Sequence, residues 1–166
     1  MKPSGAGFKI GAAAVMLTAV FASADGASAQ MVTGDLRPVN EQRADAALHL
    51  DNLQQLRSDK SAFFRRFVAS SAGWIARDNP ELSLRVLRML DDMRADTDDS
   101  VRSEVVWQIG EIGNKYEERA IYAASLLKPM MQDNDSRVRN NARTWFSSLE
   151  QKEIKNLLLR SEEHTS

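Results

Sequence analysis

A self-similarity at a spacing of 37 residues restricts this chain more than any other feature. At that offset Asp59, Asp96 and Asp133 align, followed by Ser61, Asp98 and Asp135, by Phe64, Val101 and Val138, and by Arg65, Arg102 and Arg139. Val68, Val105 and Ala142 then fall in register, as do Ala72, Ile109 and Phe146, and finally Ile75, Ile112 and Leu149. These apolar columns step by four, four and three residues, the stripe of one helical face. A second set precedes each such helix: Leu50, Leu87 and Ala124; Leu53, Leu90 and Leu127; Leu56, Met93 and Met130. Each period therefore holds two helices. A unit of that size buries its apolar face only by stacking on its neighbours.

The columns predict a capping helix over 40–57, then repeats over about 59–94, 96–131 and 133–159. Within them, helices are expected at 61–76 paired with 80–94, and at 99–113 paired with 115–131, with a last pair starting at 136 and 151. Asp98 and Asp135 stand where an N-cap carboxylate accepts from open amides and complements the helix dipole. Asn79-Pro80 supplies a cap and a first-turn proline, and Gly113-Asn114 is expected to end a helix. A tetratricopeptide array has a period of about 34 and a Trp-Leu-Gly-Tyr pattern that is missing here.

The segments Asp96-Thr97-Asp98-Asp99-Ser100-Val101-Arg102 and Asp133-Asn134-Asp135-Ser136-Arg137-Val138-Arg139, each followed by a small-to-aliphatic stripe, resemble HEAT repeats. The likeness covers two repeats well and the stretch from Asp59 to Met93 more loosely, where Phe64-Arg65 replaces Val-Arg. The resemblance implies an all-α fold, a right-handed α-solenoid of antiparallel helix pairs. It also implies an inter-repeat ladder in which Asp59, Asp96 and Asp133 serve with Arg65, Arg102 and Arg139. A guanidinium that reaches the next repeat's carboxylate forms a forked, charge-assisted bond, which fixes the angle between units.

The termini read differently. Lys2 and Lys9 precede an apolar run from Ile10 to Phe21, and Ala22-Ser23-Ala24 and Ala27-Ser28-Ala29 follow, the layout of a secretory signal peptide over 1–29. Cleavage is expected before Gln30, with Asp25 the alternative. A helix of about 12 residues reaches only about 18 Å, too short for a stable membrane span. Residues 30–39, with Gly34 and Pro38, read as an extended leader. Arg160-Ser161-Glu162-Glu163-His164-Thr165-Ser166 resembles an in-frame translated sequencing adapter, so 160–166 is expected to be an artefactual tail on a truncated third repeat. The expected location is periplasmic or secreted.

Composition limits function. The chain has no cysteine and only two histidines, His49 and His164, which leaves no thiolate chemistry and little material for a triad or a multi-histidine metal site. No cofactor or metal is expected. The formal charge is −1, and the two terminal segments carry equal numbers of acids and bases, so no basic face for nucleic acid is indicated. Acidic clusters such as Asp91-Asp92 and Asp96-Thr97-Asp98-Asp99 lack the spacing of a calcium loop.

Four aromatic residues are candidate partner-binding positions: Phe63, Phe67, Trp74 and Trp107. The first three form a second apolar stripe beside Phe64, Val68 and Ile75. The preferred expectation is that they pack on the 40–57 helix or on Met31 and Val32 of the leader. Trp107 lies opposite the core stripe of its helix and is either an exposed anchor or a contact to a neighbouring repeat; Trp145 is expected to be structural. The resulting functional expectation is an exported scaffold that binds a protein partner or the remainder of its own chain. The alternative is an enzyme: the leading repeat domain of a larger exported one, or a HEAT-like lyase or DNA glycosylase.

Overall fold

The computed structural model describes the backbone of residues 39–163 and the side chains of residues 40–156. The expected signal peptide over 1–29, the expected leader up to Pro38 and the Leu157-Leu158-Leu159 side chains lie outside the described residues. The described chain is all-α. Its elements are α1 (Val39–Leu56), α2 (Ala62–Asp78), a 3-10 turn (Pro80–Leu82), α3 (Ser83–Met93), α4 (Asp99–Lys115), α5 (Glu117–Met130) and α6 (Ser136–Glu163). No described helix is long and apolar enough to cross a membrane.

Local chemistry sets the boundaries. Asp98 Oδ1 accepts from the amides of Ser100 (2.9 Å) and Val101 (3.4 Å) and starts α4; Asp135 Oδ1 accepts from those of Arg137 (2.9 Å) and Val138 (3.1 Å) and starts α6. These bonds satisfy amides that a helix N-terminus leaves open. Asn79 closes α2 rather than opening α3: its Nδ2 donates to the Ile75 carbonyl at 2.9 Å. Pro80 then opens a single 3-10 turn, Pro80–Leu82, and α3 begins at Ser83.

Helices α2, α4 and α6 pack side by side, α4 also packs on α3 and α5, and α5 on α6, while α1 lies on α2. The core between them holds Leu50, Leu87, Leu90, Val105, Ile109, Ile112, Leu127 and Leu149, all at most 1% exposed. Three glycines permit the close approach. A Cβ at Gly73 would overlap the Gln108 amide, one at Gly110 would overlap the Trp145 ring, and one at Gly113 would lie 2.5 Å from Ala123 Cβ and 3.0 Å from Leu149 Cδ1. Gly113 is therefore a packing residue inside α4, which runs on to Lys115, and not a helix terminator.

Polar ties recur at the helix ends. Lys115 Nζ donates to the carbonyl of Arg77, and Lys152 Nζ to that of Asn114. Lys115 and Lys152 are 37 residues apart, as are their two acceptors, and each cation caps the carboxyl end of the preceding helix in its row. The Tyr116 hydroxyl lies 2.9 Å from both the Ala76 and Arg77 carbonyls. Ser83 is buried, donates from its hydroxyl to the Pro80 carbonyl at 2.5 Å and accepts from Arg119 Nε at 3.0 Å, which joins the start of α3 to α5.

Several expectations change. The last stretch is one helix, Ser136–Glu163, not a pair that restarts at 151. Between Phe146 and Asn156 there is no glycine, no proline and no Asn-Pro break like that at 79–80, and Glu150-Gln151-Lys152-Glu153 are good helix formers. Leu149 is buried against Gly113 and Ala123, and Trp145, expected to be structural, is partly buried on the core with Phe146. Phe64 leaves its column. Val101 and Val138 are buried, but the larger phenyl ring lies outward against Phe63, with centroids 5.7 Å apart.

Candidate functional site

Two constellations rest on this frame. The first is an ionic ladder. Arg65 donates from Nε and Nη2 to Asp96 at 2.6 and 2.8 Å, and its Nη1 reaches the Asp59 carbonyl at 2.8 Å. Arg102 repeats the pattern one period on, with Asp133 at 2.8 and 2.9 Å and the Asp96 carbonyl at 2.8 Å. Each carboxylate also accepts from the amide two residues ahead: Asp96 from Asp98 at 2.9 Å and Asp133 from Asp135 at 2.8 Å. Asp59 and Arg139 stand at the ends. Among the described residues Asp59 accepts the Ser61 amide (2.7 Å), and Arg139 donates to the carbonyls of Asp133 (2.6 Å) and Asn134 (2.9 Å).

The ladder sets charge states. The Arg65 fork holds the Asp96 carboxyl below its ordinary value against the opposing effect of burial, and the Arg102 fork does the same for Asp133. Hydrogen bonds from Ser100 depress Asp98, and the amides of Val138 and Arg137 depress Asp135. Arg65 and Arg102 are correspondingly raised by their aspartates. Such groups are occupied by structure: all three guanidinium nitrogens of Arg65 and of Arg102 are engaged.

The second constellation is aromatic. Phe63 is 68% exposed, Phe64 52%, Phe67 39% and Trp74 60%, all on α2, and Trp107 on α4 is 48% exposed. The expectation that α1 covers the α2 stripe is therefore overturned: α1 packs on α2 but leaves these rings open. The alternative cover, Met31 and Val32, lies outside the described residues. Trp107 combines both of its expected roles, half-exposed while its ring meets Trp145 edge-on at 5.4 Å and 82°. Trp145 in turn lies over Gly110, so the exposed indole stands on a packed one.

Ion pairs link the charged residues that border these rings from helix to helix. Arg66 reaches Glu104 at 3.5 Å, and Arg77 reaches Glu111 at 3.4 Å while its guanidinium lies 3.7 Å over the Trp74 ring. Arg137 reaches back to Asp99 at 2.7 Å, and Asn141 to the Ser103 hydroxyl at 3.4 Å. A shallow hollow of about 210 Å³ lies among Arg66, Ser103, Glu104, Trp107, Arg137 and Asn141. Sequence reading missed these pairs. Their signal was available: opposite charges separated by one period plus one or minus three residues, as at 66 and 104, 99 and 137, and 77 and 111.

Chemically the face offers apolar area, paired charges and a few hydroxyl and amide groups. His49 stands alone on α1, and among the described residues no three metal-binding side chains converge. Comparison of the sequence with protein-family models and with curated proteins finds no match.

Proposed function

We propose that the chain is an exported helical-repeat scaffold of the HEAT type, a right-handed α-solenoid that binds a macromolecular partner through the outer face of α2 and α4. The observation that carries this reading is the exposure of Phe63, Phe67, Trp74 and Trp107 on helices whose buried sides are fully occupied. Large exposed aromatic side chains are the residue type most enriched at interface hot spots, and monomeric proteins seldom leave several together without a use.

The repeat reading is supported by two bidentate Arg-to-Asp rungs, each spanning 31 residues and offset from one another by 37. The paired lysine caps at 115 and 152 support the same period. Export rests on the amino-terminal Lys, apolar and Ala-Ser-Ala pattern. Binding is the role this face suits, because it offers exposed aromatic rings bordered by charges already paired between helices.

Affinity capture from the envelope or culture fluid of the source organism tests the reading, with the parent chain and the Phe67→Glu and Trp107→Ala variants as baits. A partner retained by the parent and lost by both variants is expected. Equal recovery with all three baits would remove this face from the function.

A further inference from the structure

We infer that the exposed stripe of α2 is the contact surface of a homodimer, in which α2 of one copy lies antiparallel to α2 of a second copy of this chain. The inference rests on the reading of this face as a partner surface and names the partner.

Spacing is the first argument. Phe63, Phe67, Ser70 and Trp74 follow one another at four, three and four residues, the seam spacing by which one helix receives another. The stack does not require aromatics there. The same positions one period on are Ser100, Glu104, Trp107 and Glu111, and two periods on Arg137, Asn141, Thr144 and Ser148. Three of the four in α4, and all four in α6, are polar.

Area is the second. Taking about 200 Å² for each aromatic side chain, the exposed fractions of Phe63, Phe64, Phe67 and Trp74 amount to about 440 Å² on one helix. A standard interface buries about 800 Å² per partner, of which about 56–65% is apolar. The α2 stripe thus matches the apolar share of one side of such an interface.

Charge and shape select a second copy. The neighbouring cations are already paired within the chain, Arg66 with Glu104 and Arg77 with Glu111 and the Trp74 ring, so the surface calls for an apolar mate rather than an acidic one. The richest apolar surface among the described residues is the stripe itself. In an antiparallel pair with its two-fold axis between Val68 and Ala69, Phe63 of each copy faces Trp74 of the other, and Phe67 enters the space over the small Ser70. Large groups meet large ones at the ends, and a large group meets a small one near the centre. A parallel pair would set Ser70 against Ser70, which leaves a void, and align the two helix dipoles unfavourably. The antiparallel contact is isologous and closes at two copies.

End-to-end stacking of copies on α6 is disfavoured by its outer face. Where α2 and α4 receive the next helix on buried Ala69 and Val106, Gly73 and Gly110, and Ala76 and Gly113, α6 carries exposed Arg143, Ser147 and Glu150.

Sedimentation equilibrium and chemical cross-linking of the purified chain test the inference. The parent is expected to be a dimer at tens of micromolar, and Phe67→Glu to raise its dissociation constant at least 100-fold with unchanged helical circular dichroism. Thr144→Glu on α6 should leave the mass unchanged. Because the chain has no cysteine, Ser70→Cys provides a unique thiol, which a short bismaleimide should link into a covalent dimer, whereas Thr144→Cys should not be linked. A parent that stays monomeric at the highest soluble concentration overturns the inference, as does a dimer that Phe67→Glu leaves intact or that links through position 144. A monomer whose capture of another protein is still abolished by Phe67→Glu would sink the homodimer while the scaffold reading stands. A monomer with capture unaffected would sink both.

Discussion

Replacing Gly110 by alanine tests the packing of the stack most directly. In an open helix this change stabilises by about 1 kcal/mol, because glycine loses more backbone freedom on folding. At Gly110 the new methyl would fall inside the Trp145 ring, and that ring cannot simply turn aside, since its other contact is the edge-on Trp107 at 5.4 Å. Helix α6 must move away from α4 or the indole must leave its rotamer, an overpacking cost of about 1–3 kcal/mol that the propensity gain only partly offsets. With the loss of the contacts that both tryptophans make, a net destabilisation of about 1–2 kcal/mol is expected. At about 4 °C per kcal/mol for a domain of this size, the variant should melt about 4–8 °C below the parent, followed by far-ultraviolet circular dichroism. Tryptophan fluorescence should shift at the same time.

Gly73→Ala is the matched comparison, one period earlier. There the obstructing group is the amide end of Gln108, a flexible side chain whose Oε1 is buried without a hydrogen-bond partner. It can swing away and recover a bond to water, so the propensity gain roughly cancels the repacking and the melting temperature should stay within about 2 °C of the parent. A Gly110→Ala protein that melts at or above the parent would refute the reasoning, as would a Gly73→Ala protein that loses as much.

Removal of the Arg102 guanidinium by Arg102→Ala leaves Asp133 only 11% exposed without its partner, and a loss of about 2 kcal/mol in urea unfolding is expected, between the values for open and buried pairs. Arg102→Lys should recover less than half of it, because an ammonium cannot make both bonds of the fork. The carboxyls of Asp96, Asp98, Asp133 and Asp135 all lie below their ordinary values when folded, so their contribution is complete above the unfolded value of about 3.9 and disappears as pH falls through the lower folded values. The melting temperature should therefore be nearly flat from about pH 7 to 5 and fall below about pH 4, and the deficit of Asp133→Asn relative to the parent should shrink over that descent; a deficit that grows on acidification would contradict the assignment. Leu127→Ala, at a fully buried position, should cost about 2–5 kcal/mol by the same unfolding measurement.

What the sequence made legible was what repeats. The ladder roles of Asp96, Arg102 and Asp133 were legible because their recurrence resembles the HEAT pattern, which implies a bond from arginine to the next aspartate, and that bond is made twice at 2.6–2.9 Å. Residues that break the period were read less well. A helical wheel places Phe63, Phe67 and Trp74 on one side of α2, but whether that side is covered depends on the angle at which α1 crosses it, and no spacing within α2 encodes that angle. Phe64 failed in its column for a related reason: the register specifies an apolar residue but not its size, and the buried members of that column, Val101 and Val138, are smaller.

The stretch after Ser136 was misread because the period was carried into residues that hold no glycine or proline to stop a helix. Register alone put a turn near 150, but 147–156 holds no glycine or proline to break the helix, and Ser147 and Ser148 alone do not end it. The same stretch explains the polarity of that end. The columns that are Ala, Val or Gly in α2 and α4, small enough to let the next helix approach, become Arg143, Ser147 and Glu150 in α6 and face solvent. A surface of that kind cannot receive a helix at the distance Gly110 allows without burying unpaired charge. Among the described residues the exposed aromatic area lies instead on the flank of the row, where α2 carries Phe63, Phe67 and Trp74.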